Sequence, residues 1–429
     1  MKPHIYCLLL LILVPQLAFS QPPGLSNQIE QYVRPFVETS NFSGVILVSR
    51  KGEVLFYKAY GMANQGSKTP NNTETIFQLA SVSKPFTAAA ILILEQKGLL
   101  TTDDLVSKYI PDYPSGDKIT LHHLLSHTSG IPDINDLPEY DNASRAPQTP
   151  ETLVALYKNK PLEFKPGERY QYSNSNYSLL AFIIEKISGK SFSDFLEENI
   201  FKPLGMNKTI NHIDMSVIVD NMAEGYAPDR NFGLKKARYT DWSSKTGSGS
   251  IASTAGDLEK WNEALFGTSI LSEKSKSKMF TEYAESGYGW YLDEVYGKKY
   301  EFMNGMTSGI CTHIGRYPDE KVCVMVLSNI SVFVSKQMAI NIGGMLFNQL
   351  VEVPDLTRSL TAEELKSFTG KYQFAKDFYK PNLAMEVTAK DGKLVCTMGE
   401  LYPRKDFEFF ERSYWAKVNF RRKGVSDDV

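Results

Sequence analysis

Ser81 and Lys84 stand three residues apart at the head of a long apolar run, Pro85-Phe86-Thr87-Ala88-Ala89-Ala90-Ile91-Leu92-Ile93-Leu94. On a helix, residues i and i+3 share a face about one turn apart, so the lysine amine stands beside the serine hydroxyl. Ser81 then lies at the helix N-terminus, where free backbone N–H groups and the helix dipole favour negative charge. A serine hydroxyl becomes a useful nucleophile when a neighbouring base takes its proton. The pair offers that base and a field for the resulting anion. Pro85 does not break the helix, because proline is tolerated in the first turn. The S-x-x-K pattern is short, and an N-capping serine with a surface lysine satisfies it equally well.

Such a pair needs a scaffold on both sides of it. Residues 43–60 alternate apolar and polar around Arg50-Lys51-Gly52-Glu53, the pattern of a hairpin with strands at 44–48 and 54–57. The Ser81 helix follows and ends near Gly98. Helical periodicity recurs at 118–126, 149–158, 177–187 and 192–200. Strand patterns return at 288–295, 300–303, 310–316 and 322–327, before a closing helix over 333–350. Strands at both ends with helices between them predict one sheet with a helical insertion, an α+β architecture in which the two ends meet. Residues 354–361 read as a linker. Short alternating strands over 368–422, with the hairpin turn Lys390-Asp391-Gly392-Lys393, predict a small separate β domain.

Further segments follow in order. Leu124-Leu125-Ser126-His127-Thr128-Ser129-Gly130 comes after a predicted helix. Phe164-Lys165-Pro166-Gly167 precedes Tyr170-Gln171-Tyr172-Ser173-Asn174. Pro203-Leu204-Gly205-Met206 and Ser253-Thr254-Ala255-Gly256-Asp257-Leu258 come next. With Ser81-Val82-Ser83-Lys84, this ordered set resembles the β-lactamase-related serine hydrolases: class C β-lactamases, D-alanyl carboxypeptidases, D-aminopeptidases and related esterases. The resemblance runs over about residues 30 to 350. It implies a β-lactamase/transpeptidase-like antiparallel sheet flanked by helices, with Ser81 as the acyl-forming nucleophile and Lys84 as its partner amine. Tyr172 matches the tyrosine of the family's Y-x-N motif and would share the proton with Lys84, the ammonium favouring the phenolate. Asn174 would orient Lys84 and bind a substrate carbonyl. No metal or organic cofactor is implied.

The family's third motif, Lys-Thr-Gly or His-x-Gly on the strand flanking the nucleophile, is where the chain departs from pattern. Lys245-Thr246-Gly247 matches literally but runs into Ser248-Gly249-Ser250 and then a predicted helix. Met303-Asn304-Gly305, followed by Gly309 and two apolar strands, is the favoured placement. It puts Met303 where relatives carry a cation, and an oxyanion hole would use the N–H groups of Ser81 and Met306. Without a cation to pair with a substrate carboxylate, neutral esters or amides are expected to be preferred.

The chain of 429 residues has 42% hydrophobic and 22% charged residues and a net charge of -2, with no basic excess for nucleic acid. Lys2, the apolar run 5–14 and Ala18-Phe19-Ser20 read as a signal peptide cleaved before Gln21, which leaves no stable membrane span. The expected division is therefore 1–20 leader, 21–353 hydrolase domain and 354–429 C-terminal β domain, secreted or periplasmic. Cys7 leaves with the leader; Cys311, Cys323 and Cys396 form no disulfide framework or zinc ribbon, and at most one disulfide. His123 and His127 are spaced as two metal ligands are, but the H-E-x-x-H pattern is absent. His313 reads as a packed residue, and Trp290 as a cleft or core residue. G-x-S-x-G, the mark of an α/β-hydrolase, is also absent.

These readings converge on a secreted serine hydrolase acting on a small ester, amide or peptide. The alternatives are a β-lactamase or D-alanyl carboxypeptidase/D-aminopeptidase, and a catalytically silent cell-wall-binding relative. The Ser81, Lys84 and Tyr172 set argues against silence.

Overall fold

The structure, a computed structural model, describes residues 24–229, 233–356, 358–374, 384–396, 399–403, 408–412 and 416–420. The expected leader, with Cys7, lies outside them. A hairpin of β1 (Gly44–Arg50) and β2 (Glu53–Tyr60) joins four strands from the other end of the chain: β3 (Tyr291–Val295), β4 (Lys298–Thr307), β5 (Ile310–Tyr317) and β6 (Val322–Ser328). The sheet order is β3-β4-β5-β6-β1-β2. Every pairing is antiparallel, and β1 closes directly on β6, with Gly44 opposite Ser328 and Arg50 opposite Val322. The two ends of the chain thus meet in one sheet, with the helical segment inserted between them.

Five helices position the site: α1 (Leu25–Glu38), α2 (Lys84–Gln96), α3 (Asn174–Ser188), α4 (Ala255–Phe266) and α5 (Ser335–Leu346). Alternate residues of each strand serve opposite layers, as the pleat demands. Val45, Leu47, Met325 and Leu327 pack with α2 and the helical segment, while Ile46, Val48, Val324 and Val326 pack with α1 and α5. Because both faces are covered, β5 and β6 are buried throughout; β6 reads as a nearly continuous apolar run, while β5 also buries Thr312, His313 and Arg316. In α2 every residue from Lys84 to Leu94 is buried, so the helix is apolar all round, as a helix sandwiched between layers must be. It ends where Gly98, at φ 70, lets the Leu99 N–H return to the Leu94 carbonyl.

Boundaries move where caps compete with periodicity. The helix expected over 118–126 is Leu121–Leu125, because the Thr120 side chain caps the His123 N–H. The helix expected over 177–187 begins three residues earlier, at Asn174. That over 192–200 is Phe192–Leu196 running into a π turn, Glu197–Phe201. The strand expected over 300–303 extends from Lys298 to Thr307, so all of Met303-Asn304-Gly305-Met306 lies on it.

C-terminal to α5, six short antiparallel strands between Gly370 and Asn419 form a second sheet. Asp391 and Gly392, both at positive φ, make the turn that pairs Lys390 with Lys393. Its own small core is Met385, Val387, Leu394, Leu401 and Phe409. Arg412, 2% exposed, reaches the main body through Nε to Asn41 Oδ1 at 2.8 Å. Cys311 and Cys323 are buried free thiols. Among the described residues no helix is long and apolar enough to cross a membrane.

Candidate active site

Ser81 sits in a 3₁₀ turn, Ala80–Ser83, that feeds α2. This tighter turn, rather than the α-helix expected, nearly eclipses residues i and i+3, which sets Lys84 directly beside Ser81. Ala80 adopts φ 48, a left-handed conformation costly for a residue with a Cβ. The turn is held because the Leu79 N–H donates to the Ile251 carbonyl and Thr312 Oγ1 donates to the Leu79 carbonyl at 2.7 Å. Strand β4 lies against the same backbone. A Cβ on Gly305 would fall 2.0 Å from the Leu79 carbonyl oxygen, so only glycine permits this approach.

Lys84 Nζ lies 3.1 Å from Ser81 Oγ, 2.8 Å from Asn174 Oδ1 and 2.8 Å from the Ser248 carbonyl. Tyr172 Oη lies 2.8 Å from Ser81 Oγ. Burial pulls the Lys84 ammonium down to about 7; Asp133 opposes that fall and Lys245 adds to it. A neutral amine has two N–H groups and one lone pair. Asn174 Oδ1 and the Ser248 carbonyl can only accept, so they take the two N–H groups. The lone pair is left facing Ser81 Oγ.

Tyr172 behaves differently from the expectation of an ammonium-stabilised phenolate. Burial, the largest influence, raises its hydroxyl far above the ordinary tyrosine range, and the Ser81 hydrogen bond offsets only part of that. The phenol therefore keeps its proton. Its ring stacks on His127, centroids 4.6 Å apart. Burial, then the nearby Lys84, holds His127 well below the usual imidazole range, so it is neutral. His127 Nδ1 accepts the Ser173 N–H at 3.1 Å. His123 instead turns its Nδ1 to the Thr120 N–H at 3.2 Å, so each of these histidines is spent on local structure.

Asp133 is a member that sequence reasoning missed. It accepts from Asn174 N–H at 3.1 Å and from Asn174 Nδ2 at 3.0 Å. With the amide nitrogen so engaged, Oδ1 must face Lys84. Asp133 sits in an ordinary-looking loop after Gly130-Ile131-Pro132, and nothing in that local pattern signals its role.

The residues of the favoured third motif do not act together. Met303 is 3% exposed and, with Tyr172, His127 and Trp290, lines a hollow of about 10 Å³. Trp290 is itself buried there. Asn304, on the opposite sheet face from Gly305, is not turned to the nucleophile: its Oδ1 accepts from His313 Nδ1 at 2.6 Å. His313 Nε2 lies 2.6 Å from Tyr300 Oη, and burial drives its pKa down to about 3, so His313 is a packed neutral residue. Met306 does reach the cavity of about 180 Å³ that opens on Ser81, Tyr172, Asn174 and Ser248.

Lys245-Thr246-Gly247 closes a 3₁₀ turn, Trp242–Lys245, and leads into a three-residue strand, Ile251–Ser253, which had not been expected. Thr246 Oγ1 donates back to the Ser243 carbonyl, and Gly247, at φ 78, would place a Cβ 2.3 Å from the Tyr177 carbonyl oxygen. Both residues therefore serve the turn. Lys245 lines the Ser81 cavity.

Residues 29–342 match the sequence model of the Beta-lactamase family. The chain belongs to the β-lactamase family of serine hydrolases. It is 30% identical over 412 residues to penicillin-binding protein 4* of Bacillus subtilis (strain 168), covering 89% of this chain and 91% of that protein. Among solved structures, the octameric penicillin-binding protein homologue from Pyrococcus abyssi superposes with a TM-score of 0.71 at 28% identity, over 91% of this chain and 94% of that one. The D-amino acid amidase from Ochrobactrum anthropi SV3 shares the fold, with a TM-score of 0.68 at 24% identity over 76% of this chain and 99% of that one.

Proposed function

We propose that this serine hydrolase cleaves an ester, amide or lactam carbonyl through an acyl-enzyme on Ser81. The observation that carries the reading is the meeting of Ser81 Oγ with Lys84 Nζ at 3.1 Å and Tyr172 Oη at 2.8 Å. Above about pH 7 the Lys84 lone pair takes the Ser81 proton as Oγ attacks the carbonyl carbon. The carbonyl oxygen gains the charge and is met by the backbone N–H groups of Ser81 and Met306. Tyr172 gives its proton to the departing oxygen or nitrogen and regains one from the Lys84 ammonium. Water then attacks the acyl ester, its proton following the same route in reverse, and the acid is released with Ser81 restored.

Similarity to a penicillin-binding protein supports lactam acylation as the second reading. Met303 by itself supplies no cation and favours a neutral ester or amide. The leader pattern in 1–20 supports secretion, and residues 354–429 are taken as a separate β-rich domain.

A fluorophosphonate probe tests the central claim. Peptide mapping should find label on Ser81 alone. Ser81→Ala should abolish labelling and lower turnover at least ~10³-fold. Label on Ser129 or Ser250, or none at all, would overturn the reading, and the latter result would favour the silent binding relative.

A further inference from the structure

A cavity of about 330 Å³, sharing no lining residue with the Ser81 cavity, lies where the C-terminal sheet meets the main body. Its walls are the end of α1 at 38–40, the connecting segment at 356 and 358–360, and the turn and strand at 392–394 and 400–403. Ligand pockets favour such junctions and enclose ~300–1,000 Å³, so this one suits a small molecule. Buried Arg412 holds the walls together. Its Nη2 donates to the Ser40 carbonyl at 3.2 Å and its Nε to Asn41 Oδ1 at 2.8 Å, while its backbone N–H donates to the Glu400 carbonyl at 2.9 Å.

The charges on these walls are unequally satisfied. Both cations that line the cavity are engaged by acids: Arg358 Nη2 lies 3.3 Å from Glu364 Oε1, and Lys393 Nζ lies 2.5 Å from Glu400 Oε1. The acids keep acceptor capacity. Glu400 is 5% exposed, and its Oε2 makes no hydrogen bond among the described residues. Arg412 Nη1 stands 3.7 Å from that oxygen, too long for a hydrogen bond. A buried carboxylate oxygen without a donor is costly. Glu38, the last residue of α1, also lines the cavity and has no ion pair among the described residues. The C-terminal end of the helix adds partial negative charge beside it. Leu356, Leu394 and Leu401, all buried, give the same cavity an apolar lining.

We propose that this cavity binds a small primary alkylammonium, its N–H groups meeting Glu400 Oε2 and Glu38 and its alkyl chain packing on the leucines. The ligand is a second one, bound apart from the substrate, and it ties the C-terminal sheet to α1. The site does not depend on the reading of Ser81 as the acylated residue.

Three probes that differ only in the head group test it on the full chain: n-pentylammonium, n-pentanol and pentanoate. Calorimetric titration should show saturable binding of pentylammonium, at least about tenfold tighter than of either control. Glu38→Gln and Glu400→Gln should each weaken it by about 3–10-fold. Because Glu400→Gln also loosens Lys393, Ser359→Trp supplies a second reading. It fills the cavity, leaves both carboxylates in place and should remove binding. No saturation below about 50 mM, equal binding of pentanol, or binding unchanged in all three variants would overturn the proposal.

The binding arms need no turnover, so they stand whatever fluorophosphonate shows about Ser81. Where phenyl acetate is hydrolysed, its kcat/KM should stay constant as pentylammonium saturates the protein. Inhibition that tracks binding would place the ammonium in the Ser81 cavity and overturn the second site. Nα-acetyl-lysine N-methylamide separates two sources of the same head group. Binding within about threefold of pentylammonium would assign the site to a lysine side chain on a peptide, and failure to bind would assign it to a free amine.

Discussion

The two walls of the Ser81 cavity are built from different material. One is strand β4, locked into a six-stranded sheet by regular pairing with β5 and pressed on the Leu79 backbone through Gly305. The other is the run from Trp242 to Gly249, a 3₁₀ turn and loop held by single contacts such as Thr87 Oγ1 to the Gly247 carbonyl at 2.6 Å. The strand wall contributes backbone and shape. The turn wall contributes charge and polarity: the Ser248 carbonyl, which accepts from Lys84, and the Lys245 ammonium, which lines the cavity. A strand in a sheet is the rigid element here, and a turn is the one easier to vary.

The largest effects should come from the group that both walls serve. If Lys84 and Tyr172 form one proton-transfer unit, Lys84→Ala and Tyr172→Phe should each lower kcat by about 10²–10⁴-fold. The double variant should be little worse than the poorer single one. Losses that add fully in activation free energy, measured by single-turnover acylation, would show that the two residues act separately.

The strand wall is broken most directly at Gly305. A methyl group there would press on the Leu79 carbonyl and on Thr312 Oγ1, which cannot both retreat without disturbing the nucleophile turn. Gly305→Ala should cost about 1–3 kcal/mol in thermal or urea unfolding and reduce Ser81 labelling. By contrast, Gly249→Ala, where a Cβ would have its nearest neighbour at 3.5 Å, should unfold like the parent. Equal stability of the two variants would mean that the strand does not set the turn.

Much of this division was legible in the sequence, for reasons specific to each part. Ser81 and Lys84 announce themselves because their relation is local: one turn of backbone and the apolar run behind it set their geometry. The sheet was legible because β1 and β2 alternate around a turn and β6 is a nearly continuous apolar run, and the meeting of β1 with β6 followed from strands at both ends. Tyr172 was found by the order of the segments around it, not by its own surroundings. What remained hidden depends on long-range contact. The place of the Lys245-Thr246-Gly247 turn is one such case: it lies on the cavity wall because Tyr177, Thr87 and Tyr140, all distant in sequence, pack against it or bond to it. Asp133 acts through Asn174, 41 positions away, and the fate of Tyr172's proton depends on burial that spacing cannot report. Asn304 was misplaced by one face of a strand, since motif position alone does not show which residues the pleat turns toward the nucleophile.

Met303 is a milder probe of the strand wall. Buried beside a hollow that Tyr172 also lines, it acts by shape, so Met303→Leu should cost less than about 1.5 kcal/mol and leave substrate preference alone. Met303→Lys places an ammonium in a hollow of about 10 Å³, away from the Ser81 cavity. It should lower stability without raising kcat/KM for a carboxylate-bearing ester relative to a matched neutral ester. A rise of about tenfold or more in that ratio would show that the strand position contributes charge to the cleft, and the contrast between the walls fails.

The smallest effect is also the most diagnostic, because Lys245 on the turn wall and Asp133, the carboxylate behind Asn174, should shift it in opposite directions. Lys84 must be neutral to accept the Ser81 proton, so kcat/KM for a neutral ester should rise with pH and level off above a limb near 7. Lys245, a positive neighbour, disfavours the Lys84 ammonium, and Asp133, a negative one, favours it. Lys245→Gln therefore raises the Lys84 pKa and moves the limb to higher pH. Asp133→Asn, nearly the same in shape, lowers the pKa and moves the limb to lower pH. Profiles between about pH 5 and 9, taken at low salt to limit screening, would read both shifts. Shifts of the same sign in the two variants would show that the limb reports general disturbance of the cleft. No shift in either would assign the limb to a group other than Lys84.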